Sequence, residues 1–116
     1  MSDPLLELRD ALRAFAAERD WDQFHSPRNL ATALSVEAAE LLEPFQWLND
    51  EQSASLSPET RAAVEQEMAD VLLYLVRLAD RLDVDLAAAA RAKIVRNGEK
   101  YPVEKARGSS RKYTEI

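Results

Sequence analysis

Glu37 with Glu40, and Glu67 with Asp70, form two acidic pairs of i, i+3 spacing inside stretches of chain that are otherwise rich in apolar residues. On a helix of 3.6 residues per turn, each pair spans roughly 60° of the circumference. Glu37 and Glu40 share their arc with Leu30, Ala33, Leu34 and Leu41, and Glu67 and Asp70 share theirs with Val64, Val71, Tyr74 and Leu78. A carboxylate that interrupts an apolar stripe must be protonated, paired with a base or neutralised by a metal. Like charges stacked on adjacent turns also repel, by about 4 kcal/mol at 4 Å in an effective dielectric of 20. Two matched pairs on separate helices point to a cation site, and a solvated helix face is the plainer alternative for either pair alone.

The donor set narrows the cation. Oxygen ligands with no His or Cys nearby in sequence favour Mg²⁺, Mn²⁺ or Ca²⁺ over Zn²⁺. Di-iron bundles use Glu-x-x-His pairs, and the only histidine, His25, belongs to neither pair. Mg²⁺ keeps coordination positions for water and phosphate oxygens, which directs attention to phosphate-ester or anhydride chemistry. Trp21 and Trp47 flank the second predicted helix, and either could stack on a nucleobase or simply pack in a core. Lys93 and Asn97 are i, i+4, with Arg96 and Lys100 close by. They suit phosphate contact or a solvated helix end equally.

These residues must be positioned by helices. The 116-residue chain has only two glycines, Gly98 and Gly108, and no cysteine. Hairpin turns have little material, and disulfides, thiolate metal sites and cysteine nucleophiles are excluded. With 47% hydrophobic and 31% charged residues, the composition is that of one globular all-α domain. A net charge of −6 argues against a nucleic-acid duplex as partner but not against a nucleotide held through metal ions. No apolar run approaches membrane-spanning length and no basic leader precedes Pro4, so a cytoplasmic protein without a membrane partner is expected.

Asp3-Pro4, Ser26-Pro27 and Ser57-Pro58 each read as an N-cap followed by proline at the first helical position. The first helix is predicted from about Pro4 to Arg19, with Leu5, Leu8, Leu12 and Phe15 inward. The second runs from about Pro27 to Glu43, stopped by Pro44, which favours an extended Glu43. A polar loop spans Asn49 to Leu56. The third helix runs from about Pro58 to Leu82, and the fourth, capped by Asp83 or Asp85, ends near Asn97-Gly98. The tail from Tyr101 to Ile116 is expected to be basic and irregular. From Met68 to Ala79 the third helix is apolar nearly all round, interrupted by Asp70 and Arg77. Burial on every face exceeds what four short helices supply, so a homo-oligomer is expected.

Glu37-Ala-Ala-Glu-Leu-Leu-Glu43, Phe45-Gln-Trp47, Glu67-Met-Ala-Asp-Val-Leu72 and Lys93-x-x-x-Asn97-x-x-Lys-Tyr-Pro102 together resemble the MazG-like all-α nucleotide pyrophosphohydrolases. Phe15 to Trp21, Phe24 to Leu30 and Ser109 to Glu115 make the chain most similar to the dCTP pyrophosphatases within that family. The resemblance implies a four-helix MazG-like bundle over residues 1–106, a basic tail over 107–116, and assembly as a dimer or tetramer. It implies Mg²⁺ held by Glu37, Glu40, Glu67 and Asp70. It assigns the base and sugar pocket to Trp21, Asp22, Gln23, Phe24, His25, Trp47 and Tyr74, and places Lys93 and Asn97 near the phosphates. One departure stands out: vertebrate members align a histidine in the first helix where this chain has Leu12.

The reaction so implied is Mg²⁺-dependent hydrolysis of dCTP, or a modified dCTP, to the monophosphate and pyrophosphate. Glu37 or Glu40 would accept the proton of the attacking water. The alternatives are the same chemistry on dUTP or a damaged nucleotide, and a non-catalytic helical module whose acidic arcs bind basic partners.

Overall fold

The computed structural model describes residues 3–116, in which every regular element is helical. The main helices are α1 (Pro4–Glu18), α2 (Pro27–Leu42), α4 (Pro58–Arg81) and α5 (Leu86–Lys100), with short α3 (Asp50–Ser53) and α6 (Val103–Ala106). Single 3₁₀ turns occupy Asp22–Phe24, Glu43–Phe45 and Tyr113–Glu115. The chain divides into two units, Met1–Val84 and Asp85–Ile116.

The expected N-caps are all made by side-chain oxygens. Asp3 accepts from the Leu5 N–H at 2.9 Å, Ser26 from Asn29 at 3.1 Å and Ser57 from Thr60 at 3.2 Å, each with proline following. Asp85, not Asp83, caps α5 by accepting from Ala88 at 3.0 Å. These bonds satisfy N–H groups that a helix start leaves unpaired.

Helices α1 and α4 end in the same way. Asp20 and Asp83 both adopt φ of 55°, the left-handed region in which aspartate is among the more tolerant non-glycine residues. In α1 the Trp21 N–H donates to Ala16 O at 2.9 Å and Asp20 N–H to Ala17 O at 3.2 Å. In α4 the Val84 N–H donates to Ala79 O at 2.8 Å and Asp83 N–H to Asp80 O at 3.2 Å. Both are Schellman turns, and the alanine accepting the outer bond is buried in each. The first of them fixes the position of Trp21.

In the first unit α4 packs along α2 and α1. Its buried apolar residues are Ala16 on α1, Leu30 on α2, and Val64, Val76 and Ala79 on α4. Burial of α4 on every face is not met within one chain, because Met68 is 56% exposed and Leu72 38%.

Four further expectations need correction. Glu43 is helical (φ −49°, ψ −46°), not extended, because the chain tightens into a 3₁₀ turn that accommodates Pro44 instead of breaking. The supposed loop after Asn49 holds α3, started by a reciprocal capping box between Asn49 and Gln52. Helix α5 continues through Gly98 to Lys100, and Pro102, which cannot extend it, follows the cap at Tyr101. The tail is also structured: it carries α6 and the turn at Tyr113, whose ring meets Tyr101 edge-on at 6.0 Å and lies 5.0 Å from Lys100 Nζ. No helix of the described residues is long and apolar enough to cross a membrane.

Candidate active site

The pairing of α2 with α4 brings the two acidic pairs together. Carboxylate oxygens of Glu37, Glu67 and Asp70 lie within 4.8 Å of one another, and Glu40, expected as a fourth ligand, is outside this group of three but close enough to act on the Glu37 carboxyl. Oε2 of Glu37 and Oε2 of Glu67 are buried with no hydrogen-bond partner. Buried polar atoms are nearly always satisfied, so a matched pair of orphans beside a third carboxylate has the donor chemistry to hold a cation.

Electrostatics agrees with the geometry. Burial pushes the Glu37 carboxyl up from its usual 4.5 to about 7, helped by hydrogen bonds to Glu40 and Glu67 and by the negative charge of Glu40 and Asp70. A proton is the smallest cation that relieves such crowding, and a divalent ion relieves it further. An all-carboxylate donor set suits a hard cation.

Asp70 also lines a cavity of about 380 Å³ between α1 and α4. Its walls include Leu12 and Phe15 from α1, Trp21 beyond the Schellman turn, and Tyr74 and Arg77 from α4. Trp21 meets Phe15 edge-on with 5.7 Å between ring centroids. An aromatic, mostly apolar cavity of this size has the shape and chemistry to suit a planar heterocycle, and Asp70 belongs both to its lining and to the carboxylate cluster. Leu12, where the chain departs from the family pattern, belongs to the wall itself.

Of the residues expected to form the base pocket, Trp21 and Tyr74 line this cavity. Asp22, Gln23, Phe24 and His25 stand behind Trp21. Asp22 accepts from Arg77, Gln23 donates to the Asp20 carbonyl and carboxylate at 3.0 Å each, and the Phe24 carbonyl accepts from Asn29 at 2.9 Å. His25 Nδ1 accepts from Arg77 Nε at 3.1 Å. Trp47 is outside the lining and 85% exposed. Lys93 and Asn97 lie exposed on α5, in the second unit. Sequence reasoning singled out Leu12 as the place of a family substrate contact but missed Phe15 and Arg77 as pocket residues. The available signal was Arg77, a charge in an apolar helix two turns from Asp70 and on the same face.

A MazG-like family model matches residues 32–116. The chain is 51% identical to human dCTP pyrophosphatase 1, covering 98% of this chain and 69% of that protein. It is 50% identical to the bovine dCTP pyrophosphatase 1, covering 99% and 70%. Among solved structures, a pyrophosphatase from Archaeoglobus fulgidus superposes with a TM-score of 0.82 at 39% identity, covering 88% of this chain and 95% of that one.

Proposed function

The chain belongs to the MazG-like family, and on that premise we propose that it is a nucleoside triphosphate pyrophosphohydrolase acting on dCTP or a modified dCTP. The observation that carries this reading is Asp70, which faces both the orphaned carboxylates and the aromatic cavity. A nucleotide spans the same two environments, with a flat base at one end and polyanionic phosphates at the other.

Glu37, Glu40, Glu67 and Asp70 are the residues that would hold Mg²⁺: all four are hard donors, Glu37, Glu67 and Asp70 converge, and Glu37 and Glu67 keep unsatisfied oxygens. When bound, the ion supplies charge neutralisation for phosphate oxygens and a water of lowered pKa. The protein's own groups do the rest. Trp21, Phe15 and Tyr74 flank the base and exclude water from it. Glu37 or Glu40, whichever keeps a free lone pair, accepts the proton of the attacking water. The water oxygen bonds to the α-phosphorus, the bond to the bridging oxygen breaks, and pyrophosphate leaves. No covalent intermediate is needed, and no activated serine or cysteine is present to form one.

Met68 and Leu72 on α4, with Val36 and Leu42 on α2, leave apolar surface uncovered in one chain. That surface supports a homo-oligomer, as a dimer or tetramer.

Glu40→Gln tests the assignment, because it keeps side-chain size and removes charge. It should reduce Mg²⁺-dependent dCTP turnover by at least about a hundredfold. Wild-type turnover would remove Glu40 from the site.

A further inference from the structure

Arg77 is a buried charge that the acidic cluster does not use. The residue is 4% exposed and its guanidinium reaches three groups. Nε donates to His25 Nδ1, Nη2 to Asp22 Oδ1, and Nη1 to Asp80 Oδ2 at 3.4 Å. Asp80 is gripped from its other side by Arg13 of α1, whose Nε donates at 2.8 Å and whose Nη2 makes a second bond. Two arginines thus face two aspartates, and the buried charge is balanced.

The histidine adds a directional constraint. Arginine has donors only, so His25 must present a lone pair at Nδ1 and carry its proton at Nε2. Burial, and then the charge of Arg77, lower the His25 pKa and favour that neutral form.

Asp22 and His25 bracket the one-turn segment that follows Trp21. Trp21 itself is held from behind by its N–H bond to Ala16 O, and its ring centroid lies 5.7 Å from Phe15 and 6.3 Å from His25. Tyr74, which lines the same cavity from α4, is three residues before Arg77 on the same helix face. The arginine therefore links the two walls of the pocket.

We propose that Arg77 is a positioning residue for nucleotide binding: by clamping Asp22 and His25 it sets the distance between the Trp21 wall and the Tyr74 wall. The inference rests on the cavity being the base pocket of the proposed pyrophosphohydrolase. Lysine cannot replace the arginine, since an ammonium is a point charge and cannot form a planar fork across separate acceptors. A group that sets wall spacing acts on substrate affinity ahead of the chemical step.

The test uses the full chain with Arg77→Lys and, separately, Asp22→Ala, whose carboxylate is half-exposed and whose loss leaves Arg77 its bonds to His25 and Asp80. Steady-state kinetics with dCTP and Mg²⁺ should show KM raised about tenfold in Arg77→Lys and in the same direction for Asp22→Ala, with kcat within about threefold of wild type. Trp21 emission, read without nucleotide in a Trp47→Phe background, should shift to the red in both. If Arg77→Lys does not fold, Asp22→Ala alone carries the test. An active wild type with unchanged KM and unchanged Trp21 emission in a folded variant overturns the inference, as does a loss confined to kcat. A wild type that hydrolyses no nucleotide overturns the functional reading instead, and the hold on Trp21 is then judged by emission alone.

Discussion

Glu37 on α2 and Glu67 on α4 each bury an Oε2 atom that has no hydrogen-bond partner, and the two carboxylates converge to within 4.8 Å. The helix packing therefore holds together groups that repel, and a positive charge among them relieves that repulsion. The raised pKa of Glu37, at about 7, is the metal-free expression of that relief.

A stability consequence follows with a definite sign. The folded chain keeps a proton on Glu37 at pH values where the unfolded chain, titrating near 4.5, has lost it. That contribution is complete below about 4.5 and disappears as pH rises through about 7. Metal-free protein should melt at lower temperature at pH 8 than at pH 5.5. Added Mg²⁺ should raise the melting temperature more at pH 8, where it has less of a proton to displace. Glu37→Gln should flatten this difference, and equal Mg²⁺ shifts at both pH values in wild type would contradict it. Differential scanning calorimetry reads all three.

Trp21 forms a wall of the cavity, so its loss should weaken binding more than catalysis. Trp21→Ala is expected to raise KM for dCTP roughly ten- to hundredfold, the range of a lost base-stacking contact. Initial-rate kinetics over a dCTP titration measures it, and an unchanged KM would place the base elsewhere.

Asp80 is held below its usual range by the hydrogen bond from Arg13, with Arg13, Arg77 and Arg9 adding their charge. A depressed carboxylate contributes stability that is present above its ordinary value of 3.8 and is lost as pH falls through its lowered folded value. Asp80→Asn should therefore destabilise the protein at pH 7 and narrow its gap from wild type as the pH falls below the ordinary 3.8. The cost at neutral pH is about 2–4 kcal/mol, because Arg77 stays buried with one charged partner fewer. Urea unfolding at pH 7 and in acid checks both limbs.

The helix starts were legible because a Ser or Asp followed by Pro is a local signal, read by the backbone immediately beside it. The ends of α1 and α4 fall within one residue of the expected Arg19 and Leu82, but the turns that close them were not legible, since Asp20 and Asp83 occupy left-handed positions where glycine would have announced the turn. Gly98 misled for the converse reason: it sits inside α5, and the stop came from Pro102. Short α3 depends on a four-residue capping box that carries no apolar periodicity.

The acidic cluster was legible from helical periodicity, because acids at i, i+3 on an apolar arc must face whatever the arc faces. The pocket was only half legible. Trp21, Tyr74 and the departure at Leu12 came from the family resemblance, whereas Phe15 and Arg77 became neighbours of Asp70 only through the packing of α1 on α4. Arg77 was visible as an interruption of an apolar helix. Its partners, 52 and 55 residues earlier in the chain, were not.

The central claim is that the carboxylate cluster and the adjoining aromatic cavity together cleave a triphosphate at its α-phosphorus. Product analysis on the purified chain with dCTP and Mg²⁺ tests it directly. The account predicts dCMP and pyrophosphate in equal amounts, with no dCDP and no turnover when Mg²⁺ is chelated. Release of orthophosphate with dCDP, or undiminished hydrolysis in chelator, would contradict it.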